Sequence, residues 1–489
     1  METQSGAIVA VRMADKGPMS EDCAFEGLAS DSRAVGPGYL FAALPGTRTD
    51  GADFVADAIR RGAVAILGCP PLRAEVEKHG VQFIADENPR RRLAEIAAEH
   101  FGAQPRVVAA VTGTNGKTSV CVFLRQLWER RRLRAASIGT IGVVAPSGTA
   151  MLAHTTPDAI ETQRLLARLA CEGVTHVALE ASSHGLDQFR LDGVDIAAAA
   201  FTNLTRDHLD YHGNFENYFA AKLRLFGELI APGGLAVVNA DAEGVERFVA
   251  AAQARDLRLL TVGETGCELR IQSRAPHPEG QSLRIAFAGR THDVELPIVG
   301  AFQASNACVA AGLAIGLGEA PEEIFAALSG LRGAPGRLEK VAVAHRGAAI
   351  YVDYAHTPDA LESVLTALRP HVAGKLRLVF GCGGDRDRGK RPVMGAIAAR
   401  LADDAIVTDD NPRSEDAAGI RREILAGCPG ATEIGERAEA IRAGVAALAA
   451  GDVLVIAGKG HERGQIVGGD TRPFDDSQEA RTAARELAP

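Results

Sequence analysis

The eight cysteines of this 489-residue chain, at positions 23, 69, 121, 171, 267, 308, 382 and 428, never form a Cys-x-x-Cys pair. That spacing argues against a zinc site or a disulfide framework and points to reduced thiols in a cytosolic protein. Basic residues are also in deficit. The 53 Lys and Arg against 62 Asp and Glu leave a net charge of -9, which disfavours duplex nucleic acid as the main partner and leaves a local basic site open. The start, Met1-Glu2-Thr3-Gln4, has no cationic segment followed by an apolar run, so no secretory signal is expected. No apolar stretch reaches the ~18 residues of a membrane span. There is no Gly-x-Ser-x-Gly, no His-Glu-x-x-His and no nucleophile triad, so covalent hydrolase chemistry has no visible carrier.

What remains is globular. Hydrophobic residues make up 46% and charged residues 24%, which excludes general disorder, collagen-like sequence and coiled coil. At roughly 150 residues per domain, the length suggests about three domains. The boundaries expected are 1–104, 105–335 and 336–489. The first segment carries Ser30-Asp31-Ser32-Arg33, a helical pattern over Phe54–Arg61, a buried strand over Ala63–Leu67 and a helix over Arg90–Phe101. The last segment alternates strands (Ala349–Asp353, Leu376–Phe380, Asp404–Thr408, Val453–Ala457) with helices, which predicts a parallel doubly wound sheet. Its elaborate polar loops follow strands, at Tyr354–Thr357, Gly381–Asp387, Asp409–Arg413 and Gly458–Glu462, whereas the loops re-entering strands are bland. In such sheets ligands bind at the carboxyl ends of strands, so these loops mark a functional face.

The sharpest motif is Gly113-Thr114-Asn115-Gly116-Lys117-Thr118-Ser119, between the β-branched strand Val107–Thr112 and a helix running to about Arg131. Glycines let backbone N–H groups turn toward phosphate oxygens, the helix presents its positive end, Lys117 adds a charge and Thr118 a magnesium-binding hydroxyl. Val111 stands where the strict phosphate-loop pattern has its first glycine. The strand over Thr175–Glu180 ends on a carboxylate suited to magnesium or to capping the next helix. The strand over Ala197–Phe201 leads into Asn203–His212, where two His and two Asp crowd together, a pattern suited to metal or phosphate work. On helical pattern alone, Lys222 reads as a surface lysine.

Together these stretches resemble the Mur ligases, ATP-dependent amino-acid-adding enzymes of peptidoglycan synthesis. The phosphate loop, Glu180–Arg190 (EASSHGLDQFR), Asn203–Gly213 (NLTRDHLDYHG), Val352–Ala360 (VDYAHTPDA), Gly381–Asp387 (GCGGDRD) and Asp410–Arg413 (DNPR) appear in the family's order. The resemblance implies an α/β protein of three domains: an N-terminal UDP-binding domain, a central P-loop ATPase-like parallel-sheet domain and a C-terminal Rossmann-like domain. It implies that Ser32, Thr47, Arg48 and Thr49 hold the UDP-sugar, and that Thr155, Thr156, Ser182, Gln188 and Arg190 hold a muramoyl dipeptide. ATP would sit on Gly113–Ser119 with Asn306, Arg337 and Asp353. Magnesium would sit on Thr118 and Glu180, and on His208 with a carbamylated Lys222, which replaces the surface reading of that lysine. Lys117, His208 and Lys222 would be catalytic.

Asp410, Asn411, Pro412 and Arg413 match the family's signature for meso-diaminopimelate, with Arg386, Gly458 and Glu462 completing the pocket. An arginine fork pairs bidentately with the extra carboxylate of diaminopimelate, and lysine lacks that group. One departure from the family is Gln303, where asparagine is common. The expectation is a cytoplasmic monomer without nucleic-acid or membrane partners, using ATP and Mg2+. A lysine-adding Mur ligase, a folylpolyglutamate synthase and a nucleotide-switch ATPase are the alternatives. The Asp31-Ser32-Arg33 pattern and the DNPR loop argue against the synthase.

Overall fold

The computed structural model describes residues 25–46, 49–344 and 347–487. Thr47 and Arg48 lie outside the described residues. The chain divides into two compact units between His100 and Phe101. In the first, strands Gly27–Ala29, Tyr39–Ala42, Ala63–Gly68 and Gln82–Ala85 form a parallel sheet in sequence order. Phe41, Val55, Ala58, Ile66 and Val76 fill its core. The helix Pro89–Phe101 closes the segment, with proline at its start, where a missing N–H costs nothing.

The second unit contains two large sheets. Eleven strands form the first of them, and its centre is parallel: Arg258–Gly263, Leu235–Asn239, Ile196–Phe201, Val107–Thr112, His176–Glu180 and Ala135–Gly139, in that spatial order. Buried on both faces, these strands are near-continuous runs of Val, Ala, Leu and Ile, the composition a covered parallel sheet demands. The helix Lys117–Arg130 packs on one face through Phe123, Leu124, Leu127 and Trp128. Gly142–Ala145 and Gly148–Ala150 extend one edge in antiparallel fashion. At the other, Leu269–His277 joins in parallel and then pairs antiparallel with Gly280–Phe287, which pairs antiparallel with Arg290–Leu296. The motif reading did not anticipate these additions, because they lie outside the strand-loop-helix units that carry the signature residues.

The last sheet has six strands in the order Glu339–Val343, Ala349–Asp353, Val453–Ala457, Leu376–Phe380, Asp404–Val407 and Thr432–Glu433. All pair in parallel except the first, which is antiparallel. The parallel alternation read from sequence is therefore present, with one reversed edge. A hairpin of Gly464–Val467 and Asp470–Pro473 follows the last long strand, and Arg413 bridges to it at Val467. His371 ties this sheet's layer to the eleven-stranded one. Its Nδ1 donates to the His277 carbonyl at 2.8 Å, and its Nε2 accepts from Gly300 N at 3.0 Å.

Beneath the loops at the carboxyl edge of the last sheet lies a fully buried ion pair. Arg437 Nε and Nη2 donate to the two Asp476 oxygens at 2.7 and 2.8 Å, and Nη2 also reaches the Ala457 carbonyl at 3.0 Å. Removing one partner strands a buried charge. Arg437→Met should lower unfolding free energy by about 3–5 kcal/mol in urea titrations, and Arg437→Met with Asp476→Leu should recover most of it. A single variant as stable as wild type would show that the pair carries no structural role.

Candidate active site

Three neighbouring parallel strands, Ile196–Phe201, Val107–Thr112 and His176–Glu180, are registered so that Val111 lies opposite Glu180 and Thr112 opposite Phe201. Their carboxyl ends therefore coincide, and the loops that follow must meet. At the centre, Gly113 (φ +147°) and Gly116 (φ +88°) adopt backbone conformations that L side chains rarely take. A Cβ on Gly113 would strike Thr202 and Asn203, and one on Gly116 would strike the Asn306 amide oxygen. Asn203 Oδ1 accepts from Asn115 N at 2.9 Å, and Thr114 N donates to the Asn203 carbonyl at 2.8 Å. The phosphate loop is thus braced by the neighbouring strand's loop.

Lys117 begins the helix and donates to the Gly113 and Thr114 carbonyls, both at 2.8 Å. Lys222 donates to the same Gly113 oxygen at 2.8 Å. Its side chain is buried (1% exposed) and lies 4.5 Å from the Tyr218 ring centroid. The surface reading of Lys222 from helical pattern was therefore wrong: on the helix Phe215–Arg224 it lies on the covered face with Tyr218, Phe219 and Ala221, while Glu216, Asn217 and Ala220 face outward. Burial, then the nearby charge of Lys117, pushes the Lys222 ammonium well below its ordinary pKa. Burial also lowers Lys117, partly opposed by Glu180.

Glu180 is buried and held by Thr140, whose N–H donates to Oε1 at 2.8 Å and whose hydroxyl donates to Oε2 at 3.1 Å. The Thr140 hydroxyl also meets that of Thr155 at 3.1 Å. Thr156 donates to the Glu180 carbonyl at 2.7 Å and accepts from Ser182 N at 3.0 Å. Ser182 caps the short helix Ser183–Asp187, accepting from Gly185 N at 3.0 Å. Arg190 donates to the Thr156 carbonyl at 2.6 Å and to Gln188 Oε1 at 2.7 Å, and Gln188 reaches the Tyr211 hydroxyl at 2.9 Å. Thr155, Thr156, Ser182, Gln188 and Arg190 thus form one network beside the phosphate loop.

His208 stands in left-handed backbone (φ +51°). Its ring lies 4.8 Å from that of His184 and 6.3 Å from that of Tyr218, so Tyr218 neighbours both His208 and Lys222. Burial lowers the His208 pKa. Among the described residues, no group of three or more His, Cys, Asp and Glu is set to hold a metal ion. The expected set draws instead on a threonine hydroxyl and a lysine.

Around the linker, Asn306 Nδ2 donates to Gln303 Oε1 at 3.0 Å, and Gln303 Nε2 donates to the Arg337 carbonyl at 3.0 Å. Asn306 therefore stands against the phosphate loop, and the unusual Gln303 positions it. The Arg337 guanidinium lies 4.8 Å from the Tyr354 ring centroid. Asp353 is buried and accepts from Leu338 N at 2.7 Å and Ala355 N at 2.8 Å. Burial pushes its carboxyl up to about 6.

On the last sheet, Arg413 Nη1 donates to the Gly384 carbonyl at 2.7 Å, and its backbone pairs with Ile466 and Gly468 of the hairpin. Asn411 Nδ2 donates to Glu462 at 3.1 Å. Asp410 Oδ2, with no hydrogen-bond partner among the described residues, faces Gly458, where a Cβ would lie 2.5 Å from it. Pro412 backs Gly384, and Arg386 stands exposed, donating to the Asp385 carbonyl at 3.2 Å. In the first unit Ser32 is buried and its hydroxyl pairs with Asp57, whereas Thr49 is exposed. Sequence reasoning missed Thr140, Tyr218 and Lys459. Thr140 follows a buried strand, but only sheet order places it beside Glu180.

The chain belongs to the Mur ligase family. Family models match residues 24–101 (Mur ligase family, catalytic domain), 111–314 (Mur ligase middle domain) and 336–460 (Mur ligase, glutamate ligase domain). UDP-N-acetylmuramoyl-L-alanyl-D-glutamate--2,6-diaminopimelate ligase of Caulobacter vibrioides is 54% identical, covering 95% of this chain and 96% of its own. The enzyme of that name from Mesorhizobium japonicum is 52% identical over 97% of each chain. A solved structure of a ligase with that name superposes with TM-score 0.71 at 36% identity, covering 94% of this chain and 95% of its own. Mycobacterium tuberculosis folylpolyglutamate synthase, at 19% identity and TM-score 0.61 over 81% of this chain and 94% of its own, shares the fold alone.

Gly116→Ala should introduce strain of about 1–3 kcal/mol at the positive-φ turn and displace Asn306. The ATP dissociation constant measured by calorimetry should rise roughly tenfold or more. Unchanged ATP binding would remove this loop from the nucleotide site.

Proposed function

We propose that the protein is an ATP-dependent ligase that joins meso-diaminopimelate to UDP-N-acetylmuramoyl-L-alanyl-D-glutamate in peptidoglycan precursor synthesis. The observation that carries this reading is the seating of Arg413 beside the Asn411–Glu462 pair, on loops anchored to one another. The family resemblance and the relatives' names support it. The first domain (1–104) would hold the UDP-sugar through Ser32 and the Thr47-Arg48-Thr49 loop, the second (105–335) ATP, and the third (336–489) the amino acid.

The D-glutamate side-chain carboxylate attacks the γ-phosphorus of ATP, ADP leaves, and an acyl phosphate results. The unprotonated amine of diaminopimelate then attacks the acyl carbon, phosphate departs with the C–O electron pair, and the amine proton passes to solvent. Loop N–H groups and Lys117 hold the phosphates against the positive end of their helix, so catalysis is largely positioning and electrostatics. Thr155, Thr156, Ser182, Gln188 and Arg190 hold the dipeptide end. Arg413 pairs with the distal carboxylate of diaminopimelate and Glu462 with its ammonium.

The donor set of Thr118 and Glu180, and of His208 with a carbamylated Lys222, fits Mg2+, which would offset phosphate charge when bound. A buried lysine held neutral is the form that adds to carbon dioxide, releasing a proton and leaving an anionic oxygen ligand. Among the described residues no helix is long and apolar enough to cross a membrane. The reading includes a cytoplasmic monomer without nucleic-acid partners.

Phosphate release should require ATP, the UDP-muramoyl dipeptide and diaminopimelate together, with lysine and glutamate poor substitutes. Release from ATP alone at the full rate would favour a nucleotide switch and sink the ligase reading. Arg413→Ala should raise the KM for diaminopimelate by roughly a hundredfold and leave that for ATP unchanged. Equal losses would end the specificity assignment. Protein equilibrated with 13C-bicarbonate should show a carbamate carbon resonance that Lys222→Ala lacks. A spectrum identical in both proteins would reject the modification.

A further inference from the structure

We propose that Lys459 is a positioning residue that sets acceptor specificity, by locking the two loops that read opposite charges of the amino acid. The proposal rests on the diaminopimelate reading above and adds a residue to it. Lys459 leaves the carboxyl end of the strand Val453–Ala457 between Gly458 (φ +120°) and Gly460 (φ +58°). A Cβ on Gly460 would lie 2.7 Å from the Tyr354 Cβ, so this turn packs where no side chain fits. The turn directs Lys459 inward, and its side chain is 0% exposed. A fully buried lysine is rare and needs partners.

Two partners receive it. Nζ donates to Asn411 Oδ1 at 2.9 Å and to Glu462 Oε2 at 3.3 Å. Asn411 Oδ1 also accepts from Ile466 N at 2.9 Å. With both contacts on that oxygen coming from donors, the amide has one orientation. A flip would set its NH2 against an ammonium and an N–H. Asn411 Nδ2 is therefore aimed at Glu462 Oε2, 3.1 Å away. Glu462 Oε2 thus takes both Lys459 and Asn411, while the side chain, 36% exposed, keeps its other oxygen for a ligand ammonium.

Asn411 precedes Arg413 by two residues, and Glu462 lies on the other loop. Lys459 is thus the cross-link that fixes the spacing between a carboxylate-reading fork and an ammonium-reading carboxylate. That spacing is what a zwitterionic chain end would be measured against. Loss of the ammonium leaves Glu462 Oε2 with less compensation and lets Asn411 rotate, so the effect should fall on the acceptor and spare the nucleotide.

The test is steady-state phosphate release by the full-length protein with Lys459→Gln, varying each substrate in turn. The KM for diaminopimelate should rise on the order of tenfold, and the preference for diaminopimelate over lysine should narrow. The KM values for ATP and the UDP-muramoyl dipeptide should stay within about twofold. An unchanged diaminopimelate KM, or an equal rise in all three, overturns the proposal. Should Lys459→Gln fail to fold, the neutral pair Lys459→Met with Glu462→Gln is compared with Glu462→Gln alone. Coupled residues predict little further loss of acceptor affinity in the pair, and a further loss on the order of tenfold overturns the proposal. Wild-type protein inactive with diaminopimelate would instead refute the function on which the inference rests.

Discussion

Two lysine side chains, Lys117 and Lys222, converge on one carbonyl oxygen, that of Gly113, and the rest of the site is arranged around that convergence. Burial lowers the pKa of both ammonium groups, and the charge of Lys117 lowers that of Lys222 further. The turn that receives them must bring its carbonyl inward, which Gly113 permits through its positive φ. Thr202 and Asn203 press against that glycine from the next strand's loop. The result is a turn at a helix start whose inward N–H groups are suited to phosphate oxygens. It exists because three parallel strands end in register.

The proposed acceptor end follows a different plan. Its loops rest on buried ionic anchors: Arg437 on Asp476, Arg391 on Glu415 and Glu423, and Lys459 between Asn411 and Glu462. Buried ions carry desolvation costs that close partners offset only with good geometry. Here they hold polar loops in fixed positions above an apolar sheet, where hydrophobic contacts could not set direction. The proposed nucleotide site depends mainly on backbone shape, and the proposed acceptor site on side-chain charge. That division suits the proposed chemistry, since phosphate is read by N–H groups and an amino acid by paired opposite charges.

Much of this was legible in the chain. Continuous Val, Ala and Leu runs marked the parallel strands, and polar loops after each strand marked the binding edge. Gly113 to Ser119 announced phosphate binding because glycine spacing and a following helix are local features. Asp410 to Arg413 was read as a carboxylate reader through the family resemblance, with which the bidentate reach of an arginine fork agrees. Thr140 and Tyr218 were not legible. Their roles depend on which strands and loops become neighbours, and Tyr218 meets Thr114 across more than a hundred residues, at 2.8 Å.

Lys222 shows the boundary most clearly. Its helical spacing, taken alone, puts it on a solvated face, and the family resemblance was needed to read it as a ligand. The fold covers the face of that helix on which the lysine stands and turns it toward Gly113, where burial and Lys117 change its protonation. The alternation of strands and helices, the phosphate loop and the acceptor signature were legible in the sequence itself, because each rests on residues close together in the chain. Which lysines are buried, which carboxylates they meet and which amides they orient were decided only by tertiary structure. Desolvation and charge pairing depend on neighbours that the chain brings together only when it folds.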